Sequence, residues 1–285
     1  RMNTQVGAIA VEVVTPLQCL RILIDSPEHG LKADLLFNGR APAQEEPRFT
    51  RRIGTQTFMD YTRLTQNGSW QGRIEFKGRK IDVTPELWLG TRDRSWGIRS
   101  VGAADPQPNP QAPSINQFYW LWAPVNWPEG VSLYHLNDDA VGRPWNTAGV
   151  FVPLGGAAEP MRDVSSQIDF ISGTRHAERA VITLHRFDGG VAEITMRPRF
   201  HWYMKGVGYG HPEFGHGHYH GGDAELFEEY ALADVDDALN LHIQAICDVS
   251  MEGDLGEHVG KGVLEQLIFG PHAPSGFTEL LDMAP

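Results

Sequence analysis

The chain has 285 residues, 41% hydrophobic and 21% charged, a composition that supplies a full core and excludes disordered or collagen-like structure. Lysine and arginine number 24 against 36 for aspartate and glutamate, a formal charge of −12, so nucleic acid and anionic membrane surfaces are poor partners. The two cysteines, Cys19 and Cys247, stand in apolar runs without pairing or metal-ligand spacing, as in packing residues of a reducing compartment. No run reaches the roughly 18 apolar residues of a membrane span, and the first ten residues lack a signal-peptide pattern. A cytoplasmic protein without a membrane span is expected.

The chain enters an apolar run at residues 6–14, as a domain missing its first strands would. Further short apolar runs at 20–24, 33–37, 57–64 and 69–76 are punctuated by Asn38-Gly39, Asn67-Gly68 and Lys77-Gly78, which predicts hairpin-connected strands. Residues 88–99 then gather Trp88, Arg92, Asp93, Arg94, Trp96 and Arg99. This cluster reads either as a salt-bridged loop with tryptophan packed on guanidinium, or as a substrate pocket whose acid is Asp93. Residues 102–115 hold four prolines and no periodicity, and they divide a first domain, 1–101, from a second, 116–285.

The second part opens on aromatics. On a strand, Phe118, Trp120 and Trp122 share one face and Tyr119 takes the other, which suits a core layer or an aromatic ligand wall. Strand-like runs follow at 131–136, 180–187 and 191–196, with a turn at Asp188-Gly189-Gly190. Within 210–220, His216, His218 and His220 would point to one side of a strand, a spacing able to chelate zinc or iron; His211 lies just before them. Hydrogen-bonded histidines around a glycine-rich turn are the expected use, with no native metal. Residues 224–238 fit neither helix nor strand period. Residues 239–249 alternate with period two and one apolar face, and 262–269 form a last apolar run that Glu265 and Gln266 interrupt. One of these two should face an interior, bonded to His242 or Gln244 or aimed into a ligand cavity. Nucleotide-binding loops, a nucleophile elbow and paired cysteines are missing. Together these features predict an all-β protein of sandwich or barrel type.

The Arg92-to-Gly97 run, the Gly210-to-Gly217 run, and the stretch from Leu264 through Phe277 resemble a group of bacterial proteins. It is the two-domain lipocalin-like superfamily of carotenoid 1,2-hydratase, AttH-type proteins and kievitone hydratase, and the resemblance lies nearest to relatives of unassigned function. It implies two consecutive lipocalin-like antiparallel β-barrels, a lipophilic small molecule as ligand, no cofactor, and in the hydratases addition of water to an alkene. The superfamily motif Asp-His-Ser/Asn-Trp-Gly falls on residues 93–97, with Arg94 in place of histidine, and arginine cannot shuttle a proton.

From the resemblance and the residues together, the expected function is a hydratase-like, lyase, isomerase or cyclase activity on a lipophilic substrate. Asp93 would be the acid, with His211 or His216 orienting water. Trp88, Arg92, Arg94, Trp96, Arg99, Tyr119, Trp120, Trp122 and Glu265 would form the ligand site, with Asp93, Trp96 and Trp120 or Trp122 lining one cavity. The rival readings are a non-catalytic carrier or sensor of a hydrophobic ligand, and a metal-dependent enzyme using the histidine cluster.

Overall fold

A computed structural model of the protein describes residues 3–98, 116–207, 211, 213–215, 219–236 and 240–285. The expected divide at 102–115 falls outside the described residues. Those on either side form two antiparallel sheets, with 3₁₀ turns and no α-helix among them.

The first sheet has nine strands: β1 (Asn3–Val6), β2 (Ile9–Thr15), β3 (Cys19–Ser26), β4 (Leu31–Gly39), β5 (Gln44–Glu45), β6 (Phe49–Ile53), β7 (Gln56–Phe76), β8 (Arg79–Val83) and β9 (Leu89–Ile98). The 21-residue β7 is its axis, pairing with β4, β5 and β6 along one edge and with β8 and β9 along the other. Asn67-Gly68, expected to turn the chain, lies inside this strand instead. The reason is local: Gly68 lets the Phe37 ring press on the backbone, and the Asn67 amide donates to the Val125 carbonyl of the second sheet at 2.8 Å. The sheet stays open, ending at β1, because five strands share β7 rather than closing round to the first. Its apolar face, including Val11, Leu20, Ile22 and Leu35, is therefore only half-buried.

The second sheet runs through β10 (Phe118–Trp122), β11 (Val125–Asn126), β12 (Gly130–Asp138), β13 (Pro144–Pro153), β14 (Glu159–Pro160), β15 (Asp163–Phe170), β16 (Ala177–His185), β17 (Val191–Tyr203), β18 (Ile243–Gly253) and β19 (His258–Phe269). Its ends meet where Gly149 of β13 lies against Val164 of β15, so this sheet wraps a core of Leu121, Ile182, Leu184, Ile194, Met196, Ile243 and Leu264. The fold is thus all-β as expected, two large antiparallel sheets of which the second curves round its core until β13 packs on β15 without pairing to it.

Every residue of β12 is buried, because one face looks into this core and the other onto the first sheet. Arg40 fastens the two, donating to Asn126 Oδ1 at 2.9 Å and to the Trp127 carbonyl at 2.8 Å. A second fastening comes from residues 219–236, which run irregularly apart from one 3₁₀ turn, Leu232–Asp234. Glu225 accepts from the Ala8 amide at 3.0 Å, Phe227 stacks on His29 at 4.0 Å, and Glu229 pairs with Lys77 at 2.7 Å.

Gly72 of β7 has φ +139°, and a Cβ there would sit 2.0 Å from the Asp34 carbonyl oxygen of β4. We expect Gly72→Ala to cost on the order of 2–4 kcal/mol, read as a lower urea midpoint with unchanged slope. Gly78→Ala, at φ +82° but in open space, should cost only about 1 kcal/mol.

Candidate functional site

The polar centre of the molecule lies where the first sheet packs on the outer face of the second. Along β7 the period of two turns Arg63, Thr65 and Asn67 toward that contact. On β10 it sends Tyr119 and Leu121 into the core and Trp120 and Trp122 outward to meet them. The Arg63 guanidinium lies 4.9 Å above the Trp120 ring and 5.0 Å above the Trp122 ring. Glu46, just past β5, is held by a bond from its own N–H to the Arg63 carbonyl. Its carboxylate accepts Arg63 Nη2 at 2.8 Å, Arg63 Nε at 3.1 Å and Thr65 Oγ1 at 2.9 Å. Both charged side chains are about nine-tenths buried.

His135 of β12 completes this group from the second sheet. Its Nδ1 faces Glu46 Oε2 at 3.4 Å, and its Nε2 lies 3.2 Å from Asn146 Oδ1. Burial pushes the Glu46 carboxyl up, but His135, Arg63 and Thr65 outweigh that and hold it below the usual carboxylate range. For His135, burial pushes the imidazole down and Arg63 adds to it, against the opposing pull of Glu46 and Asn146. These directions favour an ionised Glu46, a charged Arg63 and a neutral His135 at neutral pH. A cavity of about 410 Å³ opens beside the group, lined by Glu46, Pro47, Leu133, His135, Val150 and Met161 among others.

A second carboxylate–histidine pair stands across Trp120. Glu265 of β19 accepts from Trp120 Nε1 at 2.9 Å and from Gln244 Nε2 at 3.0 Å, and lies 3.0 Å from His242 Nε2. Burial raises its carboxyl, while His242, Trp120 and Gln244 lower it further, with a net depression. Its neighbour Gln266 turns into the core, where its Oε1 accepts the Ala177 amide at 3.0 Å. Trp122 Nε1 is buried without a hydrogen-bond partner among the described residues.

The residues singled out in the sequence are placed as follows. Asp93 is exposed on β9 opposite Thr65, on the Arg63 side of the sheet, and its charge acts on Arg63. Trp96 stands opposite Thr62 and is 42% exposed, on the other side. The common wall expected for Asp93, Trp96 and the β10 tryptophans is therefore not formed, since residues three apart on a regular strand project oppositely. Arg92 and Arg94 share the Trp96 side, where Arg92 donates to Gln66 at 2.9 Å. Trp88 is a half-exposed residue in the turn before β9, and Tyr119 stacks on His272 at 3.8 Å within the second sheet.

His211 accepts the amides of Glu213 and Phe214 on Nδ1, at 3.1 and 2.8 Å, which knots a turn. His220 stacks on Phe214. Arg99, His216 and His218 lie outside the described residues, and among those described no three potential metal ligands cluster.

Ser275, His272 and Asp138 align like a triad, with His272 Nδ1 at 2.7 Å from Ser275 Oγ and Nε2 at 3.3 Å from Asp138. The amides of Ala273, Ser275, Gly276 and Phe277 are each committed to a carbonyl, so this array secures the C-terminal turn and offers no oxyanion donor.

Sequence reading missed Glu46, Arg63, His135 and Asn146. His135 carried the same signal as Glu265, a polar residue interrupting an apolar run; Glu46 carried none.

Residues 1–278 match the profile described as "Family of unknown function (DUF8625)". The chain belongs to this family. No curated protein matches the DUF8625 chain. Among solved structures it is similar to an AttH-like protein of Nitrosomonas europaea, at TM-score 0.53 and 12% identity, over 93% of this chain and 70% of that one. It is also similar to kievitone hydratase of Nectria haematococca, at TM-score 0.51 and 13% identity, over 94% and 70%. These likenesses establish the fold, and it is that of the group which the sequence motifs resemble. No helix among the described residues is long and apolar enough to cross a membrane.

Glu46, Glu265 and His135 all bind a proton more weakly folded than unfolded, so the unfolded chain takes up protons first on acidification. Stability should be flat between about pH 7 and 8, fall below about pH 6.5 as unfolded His135 protonates, and fall again below about 4.5 with the carboxylates. Urea midpoints measured from pH 8 to 4 test this, and His135→Gln should remove the first decline.

Proposed function

We propose that this DUF8625 protein is a hydratase-like enzyme, or a related lyase, isomerase or cyclase, acting without a cofactor on a lipophilic small molecule at the junction of its sheets. The observation that carries the reading is the pair of buried carboxylate–histidine couples, Glu46–His135 and Glu265–His242, on either side of Trp120. Reversible addition of water needs one group to take a proton from water and another to give a proton to carbon. Two separate couples supply both.

A carbocation route would need free indole faces, and Arg63 already occupies those of Trp120 and Trp122. Neutral His135 beside ionised Glu46 suits the opposite route. His135 takes the proton as a water oxygen adds to a polarised double bond, His242, bonded to Glu265, gives a proton to the adjacent carbon, and the proton left on His135 passes through solvent to His242, restoring both groups. The sum is one water added per double bond, and elimination is the reverse. This favours alkenes conjugated to a carbonyl or an aromatic ring, and Trp122 Nε1 is a donor such a carbonyl could meet. The half-buried apolar face of the first sheet supports the alternative of a carrier.

Incubating the protein with lipophilic conjugated and isolated alkenes in ¹⁸O-water, with mass spectrometry of products, decides between the two. Label should enter a conjugated substrate, and His135→Gln or Glu265→Gln should lower kcat about 10²–10⁴-fold while ligand binding persists. Tight binding without conversion of any member, unchanged in both variants, would establish the carrier.

A further inference from the structure

The hydrogen bonds around His135 form a chain with a direction. It begins at the Tyr119 main-chain carbonyl, which can only accept, so the group facing it at 3.1 Å is the NH₂ of Asn137. The Asn137 oxygen therefore faces Asn146, whose NH₂ donates to it at 3.0 Å. That leaves the Asn146 oxygen facing His135 Nε2 at 3.2 Å, and an oxygen there demands a hydrogen on Nε2. A neutral imidazole carries one hydrogen, so Nδ1 keeps its lone pair. The 3.4 Å from Nδ1 to Glu46 Oε2 is longer than an ordinary N–H···O bond.

We infer that Asn146, oriented by Asn137 and the Tyr119 carbonyl, is a positioning residue that fixes His135 as the Nε2–H tautomer and so presents Nδ1 as the proton-accepting atom. This rests on the reading of His135 as the base of the proposed reaction. Without such a clamp the better-placed hydrogen would be on Nδ1, donating to the Glu46 carboxylate, and the base would be spent on a structural bond. When Nδ1 takes a proton, the imidazolium has an acceptor on each side, Glu46 and Asn146. The other groups facing His135 are Arg63 of β7, whose charge opposes protonation, and the Trp120 ring at 6.0 Å, with Glu265 beyond it. Asn146 and His135 are both buried, so bulk water does not compete for these bonds.

The test is long-range ¹H–¹⁵N correlation of the full chain labelled in histidine, at pH 8, with the His135 signals assigned by their loss in His135→Gln. The native protein should show Nε2–H. Asn146→Leu should switch the ring to Nδ1–H and lower kcat on any accepted substrate by about 10²-fold with little change in KM. Asn146→Asp keeps an acceptor toward Nε2 and should retain the native tautomer. An Nδ1–H ring in the native protein, or an unchanged tautomer in Asn146→Leu, would overturn the inference. If Asn146→Leu does not fold, the native and Asn146→Asp spectra decide. A tautomer switch in a protein that converts no alkene would leave the clamp standing and refute the enzymatic reading. Turnover with an Nδ1–H ring would do the reverse.

Discussion

The junction depends on burying Arg63 and Glu46 against each other. Removing two such ions from water costs several kcal/mol each, and only close bidentate contact with every remaining donor engaged recovers it. Both charges come from the first sheet, yet what excludes water from them comes from the second: the indole faces of Trp120 and Trp122 and the imidazole of His135. Either sheet alone would present a wet ion pair or an exposed tryptophan ladder. The same burial depresses the basicity of His135, so the feature that joins the halves also sets the charge state of the site.

Most of the fold was legible because alternation survives in single strands. The runs at 20–24, 33–37, 131–136, 191–196 and 262–269 each fall within a strand. What failed was continuity: 57–64 and 69–76 are one strand, since Asn67-Gly68 is a turn signal only when nothing presses on it, and here Phe37 and the Val125 carbonyl do. Closure was also out of reach, because whether strands ring a core or share a long neighbour is a matter of pairing, and pairing leaves no mark on a local pattern.

The site divides along the same line. Glu265 announced itself as a carboxylate inside an apolar run, and its partners His242 and Gln244 stand on the adjoining strand β18. Arg63 and Glu46 look like ordinary surface charges in sequence, and their burial is imposed by a sheet that begins more than fifty residues later. Asp93 and Trp96, three residues apart within one motif, are separated by the pleat of the strand that carries them.

Residues 219–236 leave the second sheet between β17 and β18 and return to the first at Ala8, His29 and Lys77. The halves are consequently not exchangeable modules. A foreign first sheet set against this second one would have to reproduce the contacts at Ala8, His29 and Lys77 as well as the Arg63 face. A substitution at any of these contacts is therefore felt on both sheets at once.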